Sequence, residues 1–205
     1  MDEKTLEFQT IDRASNPVLY KDKGSKFFAY AFPIINESDV KRFITILKEK
    51  HKTAGHFCYA YRFGASGSVF KVSDDGEPKN SAGMPILGQL QARNLTNTLL
   101  VVVRYFGGTK LGIGGLISAY RTAAKYCLDD SEITTLYIKK TIIVRFSYDA
   151  LSHVMRIIKT YNLKIIEQHQ ELDCWLKILV KKRDLEVVKS AFKTHYKIEL
   201  EILND

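Results

Sequence analysis

Two short stretches concentrate the residue types from which a binding or catalytic site is built. In SDDGEPKNSAGMPILGQL, residues 73–90, Asp74, Asp75 and Glu77 crowd three carboxylates around Gly76. Oxygens this close can hold a divalent cation, although their order matches no EF-hand loop. The same letters also read as a turn, since Asp-Gly supplies a left-handed or type I′ conformation and Glu-Pro opens the next element. In RYFGGTKLGIGGLISAYRTAAKYCL, residues 104–128, five glycines fall within nine positions at the start of a helical pattern. The free N–H groups and the dipole of a helix start attract anions, so phosphate is the natural ligand of such a loop.

Spacing excludes the common phosphate loops. A Walker A loop needs Lys and then Ser or Thr after its second glycine, but Gly112 is followed by Ile113 and Gly114. A Rossmann fingerprint needs a glycine where Ile117 stands. Two readings of Gly107, Gly108, Gly112, Gly114 and Gly115 remain: contact with an anion or an RNA backbone, aided by Arg104, Lys110 and Arg121, or tight packing of strand against helix.

Other reactive side chains carry less. His56 and Cys58 alternate on one strand face with Ala60, a Cys–His pairing that would suit a thiol nucleophile but lacks a third, orienting group; packing explains it better. His51, His153, His169 and His195 show no paired metal spacing. Cys58, Cys127 and Cys174 are too scattered for a disulfide framework or a zinc cage. No residue is assigned a catalytic role, and no metal or cofactor is expected.

The whole chain sets the frame for these residues. At 205 residues with 45% hydrophobic and 26% charged, it is long enough for one large domain or two small ones and shows no disorder signature. No apolar run approaches a membrane span, and the opening MDEKTLEFQT is too polar for a signal peptide, so no membrane association and a cytoplasmic location are expected. The net charge of +8 favours an acidic partner but also fits an ordinary solvated surface.

Elements follow from periodicity. Residues 25–34 read as a strand. Residues 37–50 carry Val40, Phe43, Ile44 and Leu47 at helical spacing, with Asn36 or Ser38 as cap. Strands at 56–64 and 68–74 form a hairpin around Gly64–Gly67, with Phe57, Tyr59, Tyr61 and Phe63 on the expected core face. A short helix near 80–93 and a strand at 99–106 lead to a helix over 112–129, whose apolar face is Leu116, Tyr120, Ala123, Ala124 and Cys127.

From about residue 139 the order is β-α-β-β-α-β: strands at 141–147, 163–169, 173–182 and 197–203, helices at 149–161 and 184–194. A boundary therefore falls near 138, giving domains 1–138 and 139–205. The first holds 18 Lys plus Arg against 14 Asp plus Glu, and the second 13 against 9, so the smaller one is the more densely basic. Alternation puts Cys174, Leu176, Ile178 and Val180 toward helices and leaves Trp175, Lys177, Leu179 and Lys181 on an open face, joined by Arg145. A basic face with an aromatic can serve phosphate contact and base stacking, although the RNP1 pattern is absent.

Together the two stretches resemble the signature of the IMPACT family, called YigZ-like in bacteria, which is close to DDGEP…AG.P.L followed by VVVRYFGG.KLG.GGL..AY. The matching positions are Asp74 to Pro78, Ala82, Gly83, Pro85, Arg104 to Gly108, Lys110 to Gly112, Gly114 to Leu116, Ala119 and Tyr120. The resemblance implies an α+β fold in two parts. The N-terminal part is a left-handed βαβ domain like those of a small-subunit ribosomal protein, elongation factor G and the GHMP kinases; the C-terminal part is ferredoxin-like. Eukaryotic members are associated with translational control through competition for the activator of a starvation-responsive kinase and carry an extra RWD domain. The signature here opens near residue 20, so that role is not carried over.

The leading expectation is a non-enzymatic cytoplasmic protein that binds RNA or the ribosome and acts in translation or its regulation, with a protein partner there as well. An enzyme is the alternative: the glycine loop with Asp75 and Glu77 would place nucleotide phosphates and a divalent metal, although GIGGLISA stands where GHMP kinases have a GLGSSA-type run. A pure protein-interaction module is the third.

Overall fold

The computed structural model describes residues 6–171 and 173–203, and the chain divides into two compact units, Glu7–Leu136 and a second running from Tyr137 together with Leu6. Both mix helices and strands.

The first unit is built on β6 (Thr98–Tyr105), the middle strand of a five-stranded sheet. Its neighbours are β3 (Ser25–Pro33) and β4 (His56–Phe63), with β2 (Val18–Asp22) outside β3 and β5 (Val69–Ser73) outside β4, and every pairing is antiparallel. Leu99 to Val103 are all fully buried. Such burial contributes about 1.5–3 kcal/mol per side chain. It outweighs the roughly 1 kcal/mol net of any single hydrogen bond, so β6 sits where apolar surface can be covered on both sides.

Helix α1 (Glu37–Lys50) covers one face, where Leu99, Val101 and Val103 meet Tyr30, Phe32, Val40 and Leu47. Helices α2 (Gly83–Ala92) and α3 (Gly112–Asp129) cover the other, where Leu100 and Val102 meet Ile86, Leu90, Leu116 and Tyr120. Asn36 is the cap of α1, its side chain accepting from Asp39 N at 3.0 Å. Cys58 and Ala60 are fully buried, more so than the aromatic face of β4, where Tyr59 and Phe63 are only half-buried, because the sheet has helices on both sides rather than one. Three five-residue strands lie outside the sequence expectations: β1 (Glu7–Ile11) and β7 (Ile133–Tyr137), which form a two-stranded sheet, and β2 at the edge of the large sheet.

The second unit has the order β8 (Lys139–Ser147), α4 (Leu151–Thr160), β9 (Lys164–His169), β10 (Asp173–Lys181), α5 (Leu185–Lys193), β11 (Ile198–Leu203). Its sheet runs β11-β8-β10-β9, antiparallel throughout. Cys174, Leu176, Ile178 and Val180 are buried with Val154, Ile157, Val188 and Phe192 of the two helices. Among the described residues no helix is long and apolar enough to cross a membrane.

At the end of α1, His51 is buried between two tyrosines, its Nε2 2.6 Å from Tyr30 Oη and its Nδ1 2.9 Å from Tyr105 Oη. Burial, with Lys50 beside it, lowers its pKa from the ordinary 6.5. The folded chain thus holds this proton less tightly than the unfolded one, and the resulting stability is present above pH 6.5 and lost as pH falls through the folded value. Thermal melts from pH 7.5 down to 5 should show a falling Tm in wild type and a shallower fall in His51→Gln; equal slopes would show that another group sets the acid limb.

Candidate functional site

The three carboxylates of the DDGEP turn diverge. Asp74 Oδ1 accepts from Ala82 N and Gly83 N at 3.0 and 2.8 Å, and its Oδ2 from Asn80 N at 2.8 Å, so it supplies the cap that Ala82 cannot give α2. Asp75, with φ +40°, turns back so that its Oδ2 accepts from Phe57 N at 2.7 Å, and its carbonyl lies 2.9 Å from His56 Nδ1. Glu77 enters the interior. No group of three or more ligating side chains able to hold a metal ion occurs among the described residues. The cluster that could hold a divalent cation is therefore a turn whose carboxylates are taken up by backbone N–H groups and a buried ion pair.

That ion pair joins the two motifs. Arg104 shares a strand face with Leu100 and Val102, pointing toward α3, and is 5% exposed. Its Nη1 lies 2.7 Å from Glu77 Oε1, which also accepts from Tyr120 Oη at 2.7 Å. Nη2 reaches Ser25 Oγ at 3.3 Å, and Ser25 Oγ accepts in turn from Gly107 N. The guanidinium lies over Phe27 at 5.5 Å and over Phe106 at 5.7 Å, while its Nε has no hydrogen-bond partner among the described residues. Arg104, expected to supply charge around the glycine loop, is buried and paired with Glu77, since a charge on a buried strand face needs an internal partner. Cys58 Sγ donates toward Asp74 O at 3.0 Å; burial pushes its thiol pKa far up, which removes it as a nucleophile.

The glycines divide by role. A side chain at Gly107 would overlap the backbone of Gly24 and Ser25, so packing demands glycine there. Gly112 opens α3 at φ +71°. Around Gly112 and Gly114 an added Cβ meets nothing within 4 Å. Helix α3 has no side-chain cap and no acid in its first turn, and exposed Lys110 stands just before it. Gly108 also has a positive φ, and a Cβ added at Gly115 would come within 3.0 Å of Leu111 Cβ. Between this entrance and the DDGEP turn is a pocket of about 310 Å³, with Glu77 and Arg104 as polar lining and Phe106, Ile113 and Leu116 as apolar lining. Arg121 is exposed further along α3.

The other sequence candidates lie in the second unit. Trp175 pairs with Arg145 across β10 and β8. Arg145 lies 3.3 Å from Glu201, Lys177 lies 3.7 Å from Glu167, and Lys181 Nζ sits 4.5 Å over the Tyr137 ring. The face is therefore of mixed charge, because β9 and β11 contribute acids that a reading of β10 in isolation omits. Sequence reasoning also missed Ser25, which links Arg104 to Gly107, and the exposed Phe106 and Ile113, whose signal was an apolar residue in an otherwise glycine-rich loop.

Comparison with known proteins falls on these residues. The Impact N-terminal domain family matches residues 23–128. The chain is 41% identical over 111 residues to the IMPACT family member YvyE of Bacillus subtilis, a match that covers 54% of this chain and about half, 51%, of that one. It is 31% identical over 173 residues to an IMPACT family member of Haemophilus influenzae, covering 82% of each. The crystal structure of a hypothetical protein superposes with a TM-score of 0.70 at 24% identity, over 97% of both chains, and so shares the fold.

Two outcomes follow from the geometry. Glu77→Gln or Arg104→Met, each leaving a buried charge without its partner, should lower unfolding free energy in urea by about 3–5 kcal/mol; the double variant should lose clearly less than the sum. Gly107→Ala should lose about 3 kcal/mol in the same measurement, since the facing backbone cannot yield as a side chain would. Additive losses, or a neutral Gly107→Ala, would contradict the arrangement.

Proposed function

Since the chain belongs to the IMPACT family, we propose that it is a non-enzymatic, cytoplasmic protein that binds RNA, free or within the ribosome, and acts in translation or its regulation. The observation that carries the proposal is the entrance of α3: an uncapped helix start with no first-turn acid, bare backbone at Gly112 and Gly114, and Lys110 beside it. Such an entrance favours phosphate by its N–H groups and dipole, and the nearby cation adds the counterion-releasing contact that governs RNA affinity. Arg121 extends the cationic edge along the helix, and Arg145, Trp175, Lys177 and Lys181 offer a second, weaker contact in the other unit. The translational part of the reading rests on the association of eukaryotic family members with translational control. The strand order β11-β8-β10-β9 supports a ferredoxin-like reading of the second unit, and the family resemblance supports the left-handed βαβ reading of the first.

The metal-and-nucleotide alternative has less support, because Asp74, Asp75 and Glu77 already accept from backbone N–H groups or from Arg104 and Tyr120. Co-sedimentation with ribosomes and titration of single-stranded RNA across a salt series test the main reading. Lys110→Ala and Arg121→Ala should each flatten the slope of log affinity against log salt by about 0.7. Gly114→Ala should stabilise the fold by about 0.5–1 kcal/mol yet weaken RNA binding. Binding indifferent to salt would remove the proposal.

A further inference from the structure

The pocket beside α3 offers more than a phosphate site. Glu77 and Arg104 line it with side chains 4% and 6% exposed. The hydrogen bonds of Glu77 all fall on Oε1, so that Oε2 has none among the described residues, and Arg104 Nε has none either. Arg104 Nε is enclosed without a partner, where such a donor is normally bonded, and a free acceptor oxygen stands on the neighbouring Glu77. The apolar lining includes Phe106 and Ile113, which are 56% and 60% exposed, as large as any apolar surface the loop presents. At about 310 Å³ the space is at the small end of ligand pockets, and its rim carries Lys110 and the N–H groups of the α3 entrance.

We propose that this pocket holds one unpaired nucleobase of single-stranded RNA. The inference rests on the RNA reading above and names what the same site recognises. A base edge presents N–H donors, which Glu77 Oε2 is free to accept, and its flat face stacks on Phe106 while its phosphate lies at Lys110. A duplex has that edge occupied. An inorganic polyanion satisfies the rim but leaves Glu77 Oε2 and the apolar lining without a partner.

Fluorescence anisotropy at low salt tests this with three probes: a single-stranded RNA of about twelve nucleotides, its duplex, and an abasic ribose-phosphate strand of equal length. The single strand should bind at least about tenfold more tightly than the other two. Phe106→Ala should weaken single-strand binding by about five- to a hundredfold and leave the abasic strand unchanged, whereas Lys110→Ala should weaken both. Phe106 is largely exposed, and Phe106→Leu, which keeps apolar bulk without an aromatic face, should behave like Phe106→Ala if stacking is the cause. Equal loss on single and abasic strands, or no loss on either, overturns the base pocket and leaves the RNA reading standing. Absence of salt-sensitive binding to any probe overturns both.

Discussion

A carboxylate oxygen of Glu77 takes hydrogen bonds from Arg104 and Tyr120 in a space nearly closed to water, and the first unit is organised around that point. The three residues come from the DDGEP turn, the central strand and the helix after the glycine loop. An unpaired charge at this depth is strongly unfavourable, so each partner holds the others in register. Ser25 extends the tie to Gly107, and the loop meets the backbone of β3 because neither side has a Cβ to keep them apart.

The resulting division of labour accounts for a sequence so dense in acids and glycines. Asp74 and Asp75 bind backbone N–H groups, so the turn is rigid before any ligand arrives. Gly107 and Gly112 serve the chain's own path, whereas the open space at Gly114 leaves an approach to the helix start. Rigid floor and bare rim lie side by side, an arrangement suited to selecting a ligand by shape without a large change in the protein.

Much of this was legible in the letters. The helical spacing of Val40 and Leu47, the run Leu99 to Val103, and the face of Leu116, Tyr120, Ala123 and Cys127 each fixed an element and its buried side. The strands of five residues were not legible, being too short to show a period and paired with segments far along the chain. Arg104 shows where the limit lies. Strand parity places it with Leu100 and Val102, which announces a buried charge in need of a partner, but Glu77 is 27 residues away in sequence and nothing local identifies it. The acids facing Arg145 and Lys177 escaped for the same reason: cross-strand neighbours are set by register, not by proximity in the chain.

The central place of β6 also sets a timetable. Strands β3 and β4 do not pair with each other; each pairs with β6, which follows them in the chain. As the protein leaves the ribosome, roughly its first hundred residues can form only the β2–β3 and β4–β5 pairs, whose inner edges have no strand to join until Thr98 to Tyr105 emerge. Closure of such distant contacts is slow and leaves sticky intermediates in the interval. Arg104 lies near the end of the strand that completes the sheet, so the nascent chain reaches its native sheet and its buried ion pair in one late step.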